Sequence, residues 1–344
     1  MDKNIFYSAL LLILIPFLIS RCSSVSNRTL SDHYDGSSFF NKGESGDHST
    51  SDMIKWMWEM ETVEWPDHVD DVRQPPPPQK VGDGHIRVTY INHATMLIQL
   101  DNINILTDPI WSQRAGPFSW MGPKRVHDPG VRMEDLPKID VVLISHDHYD
   151  HLDLPTLETI CTRDHPVVIA GLGMSKVANT STLVERDWWQ DFTLPQSSVR
   201  LTFVPARHNS GRSLFGKDET LWGGFIIEGK GGTVYFAGDT AYGNFLTDIK
   251  EHFPSIQIAL FPIGSYEKRW FMKNQHMNPE DAVTAHLLLG AKVSIGMHYA
   301  TFLEHPEQTI DAHEKDLCEA LAEHKLDAKQ FLVLAFGEGF DYLP

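Results

Sequence analysis

The sequence predicts an α/β domain of layered, α+β type. Three observations carry that prediction. Short β-branched or aromatic runs bounded by turn residues recur from residue 85 onward, and helical stretches interrupt them. The chain is also long enough, at 344 residues with 42% hydrophobic content, to bury a sizeable core. No internal repeat is evident.

Ile86–Tyr90, Thr95–Leu100, Ile103–Leu106, Val141–Ile144 and Val167–Ala170 read as strands. Leu201–Val204, Thr233–Ala237 and Lys292–Gly296 continue the series. The clearest helix starts at Asn278-Pro279-Glu280-Asp281, where Asn caps, Pro suits the first turn, and the acids face the positive end of the helix dipole; it stops at Gly290. A second helix is expected from near Pro306 through Ile310, Leu317 and Leu321 to Lys325, with an apolar stripe that packs on a sheet.

The strand ends carry the chemistry. Val141–Ile144 runs into Ser145-His146-Asp147-His148-Tyr149-Asp150-His151, which places three imidazoles and carboxylates in one short loop. His146 and His148 can share one borderline-soft cation while Asp150 and His151 reach another. The plain alternative, a histidine-rich surface loop, weakens because further candidate ligands follow later strands in the same way: His208, Asp239 and His298.

This pattern resembles the metallo-β-lactamase superfamily, whose H-x-H-x-D-H motif and later His, Asp and His ligands are all matched. The resemblance narrows to the N-acylphosphatidylethanolamine-hydrolysing phospholipase D branch through Leu106–Ile110, Met121–Arg125, Arg269–Lys273, Gln275-His276 and Pro279-Glu280. It runs from about His85 to the carboxyl end. It implies an αββα sandwich and two Zn2+ ions. One ion would take His146, His148 and His208, the other Asp150, His151 and His298, and Asp239 would bridge them together with a hydroxide. Asp150, Asp239 and His276 form the implied catalytic set, with His276 assisting the leaving alcohol. Tyr149, Lys273 and Gln275 are the candidate substrate contacts. Asp108 is the expected partner for a ligand imidazole. His93 also matches a family segment, but its neighbours read as a buried strand, so a core role stands at least level with a site role and the residue is left out of the ligand set.

The function so implied is hydrolysis of N-acylphosphatidylethanolamine to N-acylethanolamine and phosphatidic acid. The alternatives are a hydrolase of the same fold acting on a lactone or another phosphodiester, and a noncatalytic metal-binding surface protein. The formal net charge of −17 and the lack of a long Lys/Arg run argue against nucleic acid as a partner. A phospholipid substrate and a membrane surface are the expected partners, and a homodimer remains open.

The amino end reads separately. Residues 1–21 contain an apolar stretch, Ile5–Ile19, preceded by Lys3, which suits an export signal or anchor better than a full membrane span. Cys22 follows, but Arg21 stands where a lipoprotein signal usually has a small residue. Export with membrane association is expected, as a periplasmic or cell-envelope lipoprotein if the source is bacterial. Residues 22–52 read as a flexible polar spacer and 53–84 as an aromatic and proline-rich extension; the catalytic domain is expected over 85–344. Ile54, Trp56, Met57, Trp58 and Trp65 either meet a bilayer interface or pack on the domain, with packing favoured. Cys161 and Cys318 sit at no metal-ligand spacing and read as buried thiols, with pairing left open.

Overall fold

Along the fourth strand, Val141 and Leu143 point into one apolar core while Val142 and Ile144 point into another. That alternation is the period-two signature of a strand covered on both faces, and it places this strand in the middle of a layered structure. A computed structural model of the chain describes residues 31–43, 49–212, 216–304 and 307–343. The segment 1–21 and Cys22 lie outside the described residues.

Among the described residues, fourteen strands form two seven-stranded mixed sheets. The first contains β1 (Ile86–Asn92), β2 (Thr95–Leu100), β3 (Ile103–Thr107), β4 (Val141–Ile144), β5 (Val167–Gly171), β6 (Leu183–Arg186) and, from the far end of the chain, β14 (Gly339–Tyr342). Its order is β14-β1-β2-β3-β4-β5-β6. The second runs β13-β12-β11-β10-β9-β8-β7, built from β7 (Asp191–Thr193), β8 (Arg200–Val204), β9 (Gly224–Gly229), β10 (Gly232–Phe236), β11 (Ile258–Pro262), β12 (Val293–Met297) and β13 (Phe331–Leu332).

One core joins Val88, Ile98 and Leu143 of the first sheet to Leu201, Phe203, Phe225 and Ile227 of the second. Helices cover the outer faces. Among them α2 (Leu154–Asp164) seats Leu157 and Ile160 on Leu97, Leu106, Val142 and Val168 of the first sheet. The second sheet is covered by α3 (Phe245–His252), α5 (Pro279–Leu289) and α6 (Ala312–His324), through Ile249, Val283, Leu289, Leu317 and Leu321. Two further helices, α1 (Thr50–Glu59) and the short α4 (Arg269–Met272), lie near the site described below. The architecture is the expected αββα sandwich.

The start of α5 follows the capping rules. The Asn278 side chain accepts from the Asp281 amide at 3.0 Å, Pro279 opens the first turn, and Gly290 ends the helix in the left-handed region. The last helix begins at Ala312, not near Pro306. The residues just before it are used differently: the Gln308 carbonyl accepts from Trp65 Nε1 and its side chain accepts from the Tyr266 amide. Those bonds tie the segment to the domain in a non-helical conformation.

The expectations for the polar tract and for the two cysteines need correction. The polar tract read as a spacer is packed over part of its length: Phe39 is buried in the inter-sheet core, and the His33 ring stacks on Trp188 at 3.9 Å. Two aromatic or imidazole anchors are enough to dock a segment whose composition is otherwise that of a linker. The aromatic extension is divided between its two readings, because Trp56 stacks on Phe271 at 5.1 Å while Met53, Ile54, Met57 and Trp58 are exposed. Cys161 is half-buried and Cys318 is exposed on α6, and both are free thiols.

Candidate metal centre and active site

The candidate ligands sit where strands of both sheets end. The 145–151 loop follows β4, His208 follows β8, Asp239 follows β10 and His298 follows β12. Asp108 follows β3 and His93 occupies the β1–β2 turn. The backbone is bent sharply at these points: His93, Asp108 and His298 have φ of 46°, 35° and 61°. Left-handed conformations of non-glycine residues are uncommon and gather at functional sites. Gly238, with φ of 61°, completes the set; a Cβ there would lie 2.7 Å from the Cβ of Ser145. Only glycine lets the Asp239 loop approach the histidine loop this closely.

Two groups of side chains converge. In the first, His146 Nε2 lies 2.8 Å from His148 Nδ1, which lies 3.3 Å from His208 Nε2. The Gln275 carbonyl can only accept, so His208 carries its proton on Nδ1, 3.1 Å away, and turns the Nε2 lone pair toward the site. The second group centres on Asp150. Its Oδ2 lies 2.9 Å from His93 Nε2, 3.0 Å from His151 Nε2 and 3.5 Å from His298 Nε2. Asp239 stands between the groups. Its Oδ2 is 3.0 Å from His298 Nε2, 3.2 Å from His151 Nε2, and 3.8 Å from both His208 Nε2 and His276 Nδ1.

Electrostatics follow from burial and neighbouring charge. Burial and the adjacent imidazoles push His146 well below its ordinary pKa, and burial holds His208 down at about 3. Burial works against ionisation of Asp239, but His151 and His298 outweigh it and keep the carboxyl well below the usual range; His151 does the same for Asp150. Burial would lower His298 as well, yet Asp239 and Asp150 lift it to about 10. His146 and His208 are therefore neutral and Asp150 and Asp239 ionised, the forms that bind a cation, whereas His151 and His298, raised by the same carboxylates, release a proton when a cation takes its place beside them.

The fit to metal can be tested on the polar atoms themselves. His151 Nε2, His298 Nε2 and Asp239 Oδ1 are fully buried, and no hydrogen bond to the described residues satisfies them. Unsatisfied buried nitrogen and oxygen atoms are costly unless a ligand takes them. The ligating atoms within His146/His148/His208, within His93/Asp150/His151/His298 and within His208/Asp239/His276 lie within 4.8 Å of one another. The donor set therefore suits metal ions.

Asp108 braces this arrangement. Its Oδ2 accepts from His151 Nδ1–H at 2.7 Å and from the Ser145 hydroxyl at 2.6 Å, and its Oδ1 accepts from the Ser145 amide at 2.7 Å. The carboxyl is completely buried, which raises its pKa, while His151 and Ser145 pull it back.

The site opens into a cavity of about 310 Å³. Its floor is His148, Asp150, His208 and Asp239; Ala115, Pro123, Phe271 and Met272 form an apolar side, and Tyr149, Gln275, His276 and Glu304 complete the lining. Tyr149 donates its hydroxyl to the Arg212 carbonyl at 2.7 Å, and the Arg212 guanidinium lies 4.0 Å from its ring centre. Arg269 holds the His276 carbonyl at 2.8 Å and pairs with Asp281 at the head of α5. Lys273 is a correction: it is exposed on the turn after α4 and does not line the cavity, because the helix presents Phe271 and Met272 there instead.

Sequence reasoning missed two residues at this site. His93 belongs to the Asp150 group and not merely to the core, since the left-handed turn between β1 and β2 swings its ring onto His298, with centroids 3.9 Å apart. Glu304 is half-buried, 3.5 Å from His93 Nε2 and 3.9 Å from His298 Nε2. A histidine in a predicted tight turn was the available signal for the first; nothing local marked the second.

The beta-lactamase superfamily domain profile matches residues 103–299. N-acyl-phosphatidylethanolamine-hydrolyzing phospholipase D 1 of Caenorhabditis elegans is 34% identical over 73% of this chain and 74% of its own length. The mitochondrial enzyme of the same name from Saccharomyces cerevisiae is 32% identical over 68% of this chain and 51% of its own. The chain belongs to the metallo-β-lactamase superfamily, in the N-acylphosphatidylethanolamine phospholipase D branch. Among solved structures, the metallo hydrolase Igni18 from Ignicoccus hospitalis superposes with a TM-score of 0.56 at 22% identity, covering 75% of this chain and 98% of that one, and shares the fold. As a member of this superfamily branch, the protein is a metal-dependent hydrolase.

Proposed function

We propose that the chain is a zinc-dependent phosphodiesterase of the phospholipase D type that hydrolyses N-acylphosphatidylethanolamine to N-acylethanolamine and phosphatidic acid. The observation that carries this reading is the meeting of two ligand groups at Asp239, on the floor of a cavity with an apolar side, in a chain about a third identical to proteins of that name.

His146, His148 and His208 would hold one zinc ion and Asp150, His151 and His298 the other, with Asp239 shared. So bound, the pair would activate water near neutral pH and offset negative charge on the phosphoryl oxygens. The remaining steps fall to the chain's own side chains. His276 lines the cavity beside Asp239 and is placed to give a proton to the departing N-acylethanolamine oxygen, which is a poor leaving group without one. Tyr149 and Gln275 line the same space and would bear on the phosphodiester. The cavity suits a phosphodiester and its nearest substituents, so the acyl chains remain outside it.

A membrane surface would hold those chains. Phe118 and Trp120 stack at 5.4 Å and are 57% and 69% exposed, on a loop whose base residues Ala115 and Pro123 line the cavity. Helix α1 shows Met53, Ile54, Met57 and Trp58 to solvent while its Trp56 stacks on Phe271 of the cavity wall. Apolar and aromatic side chains beside a site suit the boundary of a bilayer. Among the described residues no helix is long and apolar enough to cross a membrane. The Ile5–Ile19 stretch supports export and attachment.

The test offers zinc-loaded full-length protein N-acylphosphatidylethanolamine and plain phosphatidylethanolamine in mixed micelles, with products identified by mass spectrometry. Phosphatidic acid and N-acylethanolamine, both abolished by chelation, are expected. Two bound metals with neither lipid cleaved would overturn the substrate assignment and direct attention to lactones and other phosphodiesters.

A further inference from the structure

We infer that His93 is a positioning residue for Asp150 and so for the metal position that Asp150, His151 and His298 would form, with Glu304 confining its ring. The inference rests on the binuclear reading of the site.

Three contacts fix where His93 points. Its amide donates to Thr301 Oγ1 at 2.9 Å, and its carbonyl accepts from the His298 amide at 2.8 Å. The turn that carries His93 is thereby tied to the loop that carries His298. The imidazole is 2% exposed, lies against the His298 ring, and meets the edge of Phe302 at 5.3 Å. Packed this way, it has one direction left for Nε2, toward Asp150 Oδ2 at 2.9 Å and Glu304 Oε1 at 3.5 Å. Carboxylate oxygens accept, so the proton is on Nε2 and is shared between them, more with Asp150.

The consequence is geometric. Asp150 has two oxygens and must present one to a cation. A side chain on a loop turns about χ1 and χ2 unless something holds it, and ligand orientation of this kind is set by the partner beyond the ligand. Asp108 does this for His151, and His93 does it for Asp150. Glu304 faces the same nitrogen, and its Oε2 accepts from Ser265 Oγ at 3.0 Å, which pins the carboxyl beside the ring. The two supports come from opposite ends of the domain's sequence, from the first hairpin and from the loop after the last candidate ligand.

Two substitutions separate positioning from packing. His93→Asn suits a left-handed backbone but is too short to reach Asp150. His93→Gln keeps an N–H that reaches. Full-length wild type and both variants, stripped of metal, are titrated with Co2+ by calorimetry and by the visible absorption of the bound ion. Wild type is expected to bind two ions. His93→Asn should retain one at wild-type affinity, that of His146, His148 and His208, and bind the other about 10- to 100-fold more weakly with an altered spectrum; His93→Gln should recover most of that loss. Retention of the first ion shows that the variant is folded. Two ions bound by His93→Asn with wild-type affinity and spectrum would overturn the inference. Fewer than two ions bound by wild type would overturn the binuclear reading itself.

Discussion

His151 and Asp108 form a fully buried pair, Nδ1 to Oδ2 at 2.7 Å, in which the carboxyl also receives both the amide and the hydroxyl of Ser145. One acceptor therefore fixes the tautomer of a candidate ligand and the start of the loop that carries three others. In Asp108→Asn the amide can accept from one of these partners but offers N–H to another. Metal affinity is expected to fall about 10- to 100-fold, with the folded secondary structure retained. Competitive chelation followed by circular dichroism would show both.

Asp239 lies within 4 Å of four imidazoles. Asp239→Ala removes the one carboxylate shared by both ligand groups. It should cost bound metal and several kcal/mol of transition-state stabilisation, roughly a thousandfold in kcat. Metal content by emission spectroscopy, read alongside turnover, checks this. Full metal content with full turnover would remove Asp239 from its central place.

His276 makes a different prediction because its proposed task concerns the leaving group. With the natural lipid, His276→Gln should lower kcat on the order of 10²- to 10⁴-fold. With a phosphodiester that releases p-nitrophenol, which leaves without a proton, the loss should shrink to a few fold. Equal losses on both substrates would mean that the side chain shapes the cavity instead.

The stacked Phe118 and Trp120 should matter only at a lipid surface. Replacing both with Ser is expected to weaken sedimentation with phosphatidylcholine vesicles at least several fold while sparing turnover of a soluble phosphodiester. Since the chain carries a net charge of −17, binding driven by these aromatics should be little changed by salt. Vesicle binding unaltered by the double substitution would place membrane contact elsewhere.

His313 supplies a pH dependence away from the metal ligands. It is buried against Tyr299, and burial, opposed by the Ile310 backbone and by Asp311, lowers its pKa to about 4. The charged form is disfavoured in the fold, so its contribution is fully present above the unfolded pKa of about 6.5. It is lost as pH falls from there toward 4, because the unfolded chain takes up a proton that the folded one does not; the total is roughly 3 kcal/mol. His313→Phe keeps the ring contact without titrating. Urea unfolding in chelator at pH 7 and pH 4.5 should show a smaller acid loss for the variant.

Much of this site could be read from residue order because chemistry follows periodicity. Val141–Ile144 is an unbroken apolar run and Thr233–Phe236 a β-branched and aromatic one, and each is followed within three residues by a candidate ligand, so strand and ligand predict one another. His93 and Glu304 had no such marker. Their meaning depends on a left-handed turn and on a separation of more than 200 residues, which no local pattern records. Phe39 and His33 were hidden for the same reason: a polar tract is docked by a few side chains whose partners lie far along the chain. Lys273 was misplaced because a four-residue helix chooses which of its side chains face inward, and sequence spacing in so short an element does not fix that choice.

The pairing of β1 with β14, residue 86 against residue 342, sets what trimming this strand would do. Without residues 339–342 every candidate ligand is still in the chain, but the β1 edge of the first sheet is uncovered. An uncovered edge is a template on which a second chain can pair, so loss of this strand is expected to show as self-association before it shows in the ligand set.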